Sequence, residues 1–581
     1  MAKISQYELE REANIARNRA LLEQLELKQA VSDLPIPKSK TAKSKAKPVQ
    51  PVNRNKRERE PEAPRRQSAR LRKDTVDPNE TPAQKRKRER EAAERRAQEE
   101  EERLQVEEQA RIAKRPRHQD LKLVTLVETN GPEEMSTLST ALGAAAQKSQ
   151  PRRVGDPDAF VFEEKKDAAA AVAELREKLQ DMKVVSRAKV TQERIYSAAY
   201  HPEITKDLVF FGDKHGALGI WDAQAPQEEQ EDEDGDVSVP PENREGGKYW
   251  RLQLHWPATA KSSISSVKFD PIDSHNVYTS SYDCTIRSLS FTSGVSREIY
   301  ASNDRVLICS IDLAPTGNEM WISDGEGGAT HLDLREAKSK ARRYVLSEQK
   351  IGCISINPTR PNFILTASNS RFLKIWDTRK LQSMSAALTD DAPLTPPTSL
   401  PGESGTSEDV PPRGTVEFDA EVVTEFLASN KGKSCLRGEF KHDKSASSAY
   451  WDPRGRQIVS TSYDDTIRLW DLDSPLFKSS GTFPSFKPFS RIRHNCQTGK
   501  WLTILRAQWS PNPDVYPHFT IGNMNHALDL YSSNGDLVAR LSDPARITAV
   551  QAVTASHPSI LERAVSGNAS GRCVLWAPSD S

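Results

Sequence analysis

The chain has 581 residues, of which only 36% are hydrophobic and 28% are charged, so a single packed core cannot hold all of it. Its formal net charge of +1 excludes a uniformly basic or acidic protein, but the charge is uneven: basic clusters crowd the N-terminal region and acid concentrates at 227–236. No apolar run reaches membrane-spanning length and the first residues lack the apolar stretch of a secretory signal, which predicts a soluble intracellular protein with no membrane partner.

Residues 5–29 are expected to form a first helix within an N-terminal element 1–30. Ser5 caps it with Glu8 in the capping-box position, and Ile4, Ile15, Leu22 and Leu25 share one face. A helix with one apolar stripe, ended by Pro35 and Pro37, reads as a docking peptide for a partner or as a frayed helix on a neighbouring surface. Residues 31–160 are expected to be a disordered basic region, because Lys/Arg runs punctuated by prolines bury little apolar surface. Within it Lys85-Arg86-Lys87-Arg88 is a candidate nuclear-import signal, and the same charges can neutralise phosphates. A further helix is expected at 161–183.

From Arg194 to Pro578 one pattern recurs seven times: an apolar strand ending near proline, a second strand, a tight polar turn, and a strand closing on an aromatic and often Asp. The runs start at 195, 264, 308, 351, 446, 504 and 547, and they close on Trp221-Asp222, Leu289, Leu332-Asp333, Trp376-Asp377, Trp470-Asp471, Tyr531 and Trp576. Repeats of this length closing on Trp-Asp predict an all-β fold, a seven-bladed WD-repeat propeller over 184–578. Only five residues follow Trp576, too few for an outer strand, so the alternating segment 184–190 is expected to complete the last blade and close the ring. Two inserts interrupt the loops between third and fourth strands, an acidic one at 224–247 and a Pro/Ser/Thr-rich one at 382–432.

The aspartates in the polar turns, Asp213, Asp283 and Asp464, read as structural hydrogen-bond acceptors rather than catalysts, and the terminal tryptophans as packing between blades. No phosphate-binding glycine loop, zinc-protease helix motif, nucleophile elbow or paired Cys/His spacing occurs. The six cysteines read as buried free thiols. The expectation is a binding protein, not an enzyme, with no catalytic residues, metal or cofactor.

A basic residue stands close to the start of each first strand: Arg194, Lys261, Arg305, Lys350, Lys444, Lys500 and Arg546. These connections share a rim with the polar turns, which add Lys214 and Arg371 along with Tyr282 and Tyr463. Cations interspersed with aromatics suit a polyanion with stackable faces, namely nucleic acid; an ordinary protein-binding rim is the alternative. The connection 491–501 joins Arg491, Arg493 and Lys500 to a glycine turn and Trp501, so Trp501 is either a wedge for a disturbed base step or the first core residue of its blade.

The start Tyr-Glu-Leu-Glu-Arg-Glu-Ala-Asn-Ile-Ala-Arg-Asn-Arg at 7–19, the run Tyr-Thr-Ser-Ser-Tyr-Asp-Cys-Thr-Ile-Arg at 278–287 and the connection 491–501 resemble the fungal DNA damage-binding WD-repeat proteins, a family related to the lesion-recognising small subunit of the ultraviolet-damaged-DNA-binding complex. The likeness spans the seven repeats and the first helix, but not the basic region or the inserts. The resemblance implies binding to single- and double-stranded DNA with preference for ultraviolet-damaged duplex. In the lesion-recognising relatives the hairpin between blades 5 and 6 inserts an aromatic-Gln-His wedge; Gly499-Lys500-Trp501 stands there in this chain, so the wedge chemistry is altered. Trp376-Asp377-Thr378-Arg379 also fits the box by which many propellers dock on the large adaptor of a cullin–RING ubiquitin ligase. The reading that follows is a nuclear DNA-binding protein that also meets chromatin proteins, with a ubiquitin-ligase substrate receptor or interaction scaffold as the alternative.

Overall fold

The computed structural model describes residues 115–127, 132–146, 149–226, 245–302, 306–384 and 415–578. All of these belong to the compact unit Glu91–Ser581; the unit Met1–Arg90, with the expected first helix and the nuclear-import cluster, lies outside the described residues. Most of the acidic insert and of the Pro/Ser/Thr-rich insert lie outside them as well.

Seven sheets, each built on four antiparallel strands, form a propeller, with those strands lettered a to d from the channel outward. Blade 1 shows the plan: Ile195–Tyr200, Leu208–Asp213, Ala217–Asp222 and Lys248–Gln253. Strands b and c are buried along their whole length in this blade, because neighbouring blades cover both faces. The core accordingly divides into seven clusters, each filling the gap between two successive blades, and the one joining Val565 and Leu575 of blade 7 to Val209 and Trp221 of blade 1 completes the circle. The terminal tryptophans Trp221, Trp376, Trp470 and Trp576 are all buried there. Trp376 and Trp576 also donate to hydroxyls of Thr366 and Ser566 on the adjoining strand b, so the indole N–H is satisfied inside the core.

The strand Met182–Lys189 pairs antiparallel with Arg572–Pro578 and forms the outer edge of blade 7, so the chain preceding the first repeat closes the ring. The inner strands of the last two blades are shorter than their apolar runs suggest. In blade 6 only Gln508–Trp509 join the ladder, and in blade 7 the strand is Val553–Ser556 rather than a run from Ile547.

The expectation of disorder through residue 160 is overturned for the described part of that region. Arg115–His118 forms a short 3₁₀ turn in which Arg117 is buried and donates to the Asp283 carbonyl, while Arg287 donates back to the carbonyls of Arg117 and Gln119. Leu121–Lys122 adds a fifth strand to blade 2, and the helix Pro132–Ala146 lays Leu138 and Leu142 against Trp250 of blade 1. Residues 149–162 then cross the rim formed by the a–b turns. Arg152 N–H donates to the Pro271 carbonyl of blade 2; Arg153 pairs with Asp514 and bonds Asn512 of blade 6 and the Pro558 carbonyl of blade 7; Gly155 N–H donates to the Pro453 carbonyl of blade 5. Polar anchoring of a segment with few apolar side chains is why composition alone reads it as disordered. The helix Lys165–Leu179 follows against the outer strand of blade 6, with Arg176 donating to the Leu537 and Val538 carbonyls.

The end of the second insert is also ordered. Val416–Phe418 pairs parallel to Arg342–Val345 as a fifth strand of blade 3, with Phe418 stacked on Tyr344 at 5.0 Å. Added strands of this kind cover edges that would otherwise present unpaired backbone. All six cysteines are buried and none forms a disulfide, and no helix among the described residues is long and apolar enough to cross a membrane.

Candidate nucleic-acid interface

Antiparallel strands fix two rims. The b–c turns and the connections between blades share the upper rim; the a–b and c–d turns share the lower rim, which residues 149–162 cross. The turn aspartates of the upper rim are structural. Asp213 accepts from the N–H groups of His215 and Ala217 at 2.8 Å. Asp283 binds buried His255 at 3.0 Å and Thr285, and Asp464 binds Thr466 and Arg468. Burial alone would raise the Asp283 carboxyl, but His255 and Thr285 outweigh it and hold the pKa below the ordinary value.

A line of alternating cations and rings crosses the channel mouth. Arg194, entering blade 1, donates to the Lys500 carbonyl at 3.2 Å and lies over the Tyr196 ring at 5.9 Å. Tyr196 meets Tyr282 of blade 2 edge to face, with centroids 6.3 Å apart. Lys350, entering blade 4, lies 5.2 Å over the Tyr282 ring and donates to its hydroxyl at 3.3 Å. Burial in the channel mouth opposes the Lys350 charge, but the Tyr282 hydroxyl and the Cys309 thiol more than offset it, and its pKa sits above the usual lysine value. Trp501 follows Lys500 and is 82% exposed, more than any other large apolar side chain among the described residues.

Tyr196 reaches this line because it is the extra residue of a β-bulge between Ile195 and Ser197. The corresponding bulges of blades 2 to 5 hold Ser265, Cys309, Gly352 and Ser447, all small. Tyr196 was absent from the sequence-based candidates, although a bulky aromatic at a position where the other repeats carry small residues marks it.

The remaining candidates sort by position. Lys261, Arg371, Lys444 and Lys500 are exposed on the upper rim, Arg371 in a left-handed turn conformation at φ +77°. Lys214 is half-buried there, its carbonyl accepting from Ser263. Arg305 lies outside the described residues. Arg491 and Arg493 do not belong to a protruding hairpin: they form the outer strand of blade 5, Ser490–Arg493, paired with Thr466 to Leu469 because their alternating apolar neighbours fit that edge. Residues 494–507 make the connection, held by Gln497 to Tyr463 and Asp465 and by Thr498 to the Tyr463 hydroxyl. The alternative of Trp501 as a core residue is excluded by its exposure. Arg546 is not at the channel mouth. Because the blade 7 inner strand starts late, Arg546 lies on the outer flank, donating to the Val184 carbonyl of the closing strand.

Several lower-rim arginines are paired: Arg335 with Asp333, Arg379 with Asp377, Arg454 with Asp452, and Arg456 with Asp471 and Asp473. Among the described residues no carboxylate ion-pairs with Arg194, Lys261, Lys350, Arg371, Lys444 or Lys500, so none of these six charges is neutralised by a direct partner. The docking box is also on the lower rim. Trp376 is buried, Asp377 caps the short helix Thr378–Gln382, and Arg379 is exposed but gripped by both oxygens of Asp377 at 2.9 and 2.7 Å.

Comparison with known proteins agrees with this architecture. The family model described as WD domain, G-beta repeat, matches residues 433–471, the outer strand of blade 4 and the first three strands of blade 5. A Cryptococcus neoformans protein named DNA damage-binding protein CMR1 is 38% identical over 612 residues, covering 99% of both chains. Proteins of the same name from Mycosarcoma maydis, 32% identical over 695 residues and all of both chains, and Neurospora crassa, 32% identical over 592 residues and 99% of this chain and 98% of that one, are similar along their length. With seven blades and identity of this extent, the chain belongs to the fungal family of DNA damage-binding WD-repeat proteins.

Proposed function

We propose that this chain binds DNA across the upper rim of its propeller, prefers ultraviolet-damaged duplex, also takes single strands, and acts in the nucleus as a non-catalytic protein. The names of its relatives support DNA damage as the context. The observation that carries the reading is the line Lys500, Arg194, Tyr196, Tyr282 and Lys350, with exposed Trp501 at its end. Cations without carboxylate partners gain affinity by displacing counterions from phosphates, and aromatic faces accept unstacked bases. A damaged step costs less to open than an intact one, so an exposed indole beside cations favours the lesion. The test is competition by irradiated duplex, undamaged duplex and single strand against a labelled damaged duplex bound to the full chain. Irradiated duplex is expected to compete at the lowest concentration. Equal competition by all three removes the lesion preference, and no binding at low salt removes the DNA reading.

A second surface supports docking to the adaptor of a cullin–RING ubiquitin ligase. Arg379 is 59% exposed on the lower rim, away from the DNA surface, and Asp377 holds its guanidinium in a fixed plane. Adaptor capture by the wild-type chain and its loss in Arg379→Ala is the expected result; equal capture by both removes this reading.

A further inference from the structure

Six of the seven outer strands are met at their free edge by another part of the chain. Blade 2 takes the strand Leu121–Lys122 and blade 3 the strand Val416–Phe418. Leu252 of blade 1 forms a bridge with Val127. In blade 4 the Arg437 carbonyl accepts from the Phe483 N–H at 2.7 Å, and in blade 7 the Arg187 carbonyl accepts from the Gly246 N–H at 2.8 Å. In blade 6 the Leu537 and Val538 carbonyls accept from Arg176. Blade 5 is the exception: among the described residues nothing hydrogen-bonds the free edge of Ser490–Arg493.

The ladder shows which groups that edge offers. His494 N–H donates to the Asp465 carbonyl at 3.0 Å, and in the same register Arg493 lies opposite Thr466 and Arg491 opposite Arg468. Hydrogen-bonded and non-hydrogen-bonded pairs alternate between antiparallel strands, so the N–H and C=O groups of Arg491 and Arg493 point away from blade 5. Both side chains are exposed; Arg491 lies 3.9 Å from Asp443, which also pairs with Arg468 at 3.3 Å. Lys487 is exposed as well, and Phe489, just ahead of the strand, is 51% exposed. Cations on an edge keep two copies of a strand from pairing, because symmetric pairing would bring the arginines together. That protection does not account for the phenyl ring beside them, which is a liability on a free edge unless something covers it. The charge of the edge selects a cover that carries acids.

We propose that the outer edge of blade 5 is a docking site for an acidic segment of a partner protein, which adds to the blade as a fifth strand. Blades 2 and 3 already hold a fifth strand, antiparallel in the first and parallel in the second, so the architecture accommodates one. Partner residues opposite Arg491 and Arg493 exchange backbone hydrogen bonds with them, and carboxylates at those two alternate positions meet the two guanidinium groups. An apolar residue two positions beyond the second acid lies against Phe489. In the antiparallel arrangement the segment reads acid-x-acid-x-apolar. This site is independent of DNA binding on the upper rim.

The experiment titrates the full chain into a labelled peptide, Thr-Glu-Val-Glu-Val-Phe-Thr, and follows fluorescence anisotropy. The wild type should bind it saturably. The double variant Arg491→Glu, Arg493→Glu should bind it at least about tenfold more weakly, and should prefer the peptide in which both glutamates are lysine. N-methylation of the two glutamate nitrogens should abolish binding to the wild type, since those N–H groups pair with the edge, whereas N-methylation of the valines should preserve it. The methylated peptides probe the wild-type chain, so they decide the matter whether or not the double variant folds. Absence of peptide binding by the wild type overturns the site. So does equal binding of the glutamate-methylated peptide, which reduces the contact to adsorption by charge. Loss of duplex DNA affinity in the double variant, with no peptide bound by the wild type, gives the edge to nucleic acid instead. A chain that is dimeric alone and monomeric with peptide gives it to a second copy, against the proposal.

Discussion

Arg194, at the start of blade 1, donates a hydrogen bond to the carbonyl of Lys500, in the connection between blades 5 and 6. That connection therefore passes beyond its own blades, and the hydroxyl of Thr503 adds a second tie to the Ile195 carbonyl. Lys500 and Trp501 are held over the ring by these ties rather than by a hairpin of their own, which makes their position part of the fold.

Thr503→Val keeps every charge but removes the second tie. It should cost about 1–3 kcal/mol of stability, because the Ile195 carbonyl loses its partner. It should also weaken DNA binding without changing the salt dependence. Thermal unfolding and anisotropy titrations at several salt concentrations check this; a changed salt slope would mean that the loop displaces a phosphate contact.

Trp501→Ala should leave unfolding within about 0.5 kcal/mol of wild type, as expected for an exposed side chain. Damaged-duplex binding should fall by about 1–3 kcal/mol, the worth of one base stacked on an aromatic. Undamaged duplex should lose less, since its stack must first be opened. An equal loss on both substrates would reduce the indole to a brace for the loop.

Acid should destabilise the propeller before its carboxylates titrate. His201 and His518 are buried, and burial lowers each pKa to about 4 from an ordinary 6.5. Between those values the unfolded chain binds protons that the native one refuses, so stability falls as pH drops from about 6.5 toward 4, with a slope of roughly 1.4 kcal/mol per pH unit for each histidine once below the unfolded pKa. Denaturant midpoints measured across this window should decline, and His518→Gln should flatten the decline; an unaltered midpoint from pH 7 to 4.5 contradicts this.

Gly155 marks the segment that crosses the lower rim. A Cβ there would meet the Arg454 Cγ at 2.8 Å and the Pro513 Cβ at 3.1 Å. Gly155→Ala should lift residues 149–162 locally and speed proteolysis within them, at a cost of about 1–3 kcal/mol. Cleavage at the wild-type rate would show that Arg454 yields without loss.

The ring was legible because a blade repeats: most restate an apolar inner strand, a polar turn and a closing aromatic, and the alternating segment ahead of the first repeat pointed to the strand Met182–Lys189. The wrapping of residues 115–127 and 149–162 was not, because Arg117, Arg153 and Gly155 are held by carbonyls and carboxylates that leave no periodic apolar signature. Among the candidate contacts, the rim lysines followed from register alone. Arg546 did not, since the apolar run at Ile547 packs under the blade 6 edge before the inner strand begins. Trp501 was ambiguous in sequence because an aromatic ahead of Leu502 fits a strand start as well as an exposed turn.

The central claim is that the upper rim, and not the basic N-terminal region alone, holds DNA. The decisive measurement is the salt dependence of DNA affinity for the full chain and for a variant carrying Lys261→Gln, Arg371→Gln, Lys444→Gln and Lys500→Gln together. If all four cations meet phosphates, the variant should bind more weakly and its slope of log affinity against log salt should be shallower by about four. A variant with wild-type affinity and slope would assign the DNA contact to the N-terminal clusters and contradict the account.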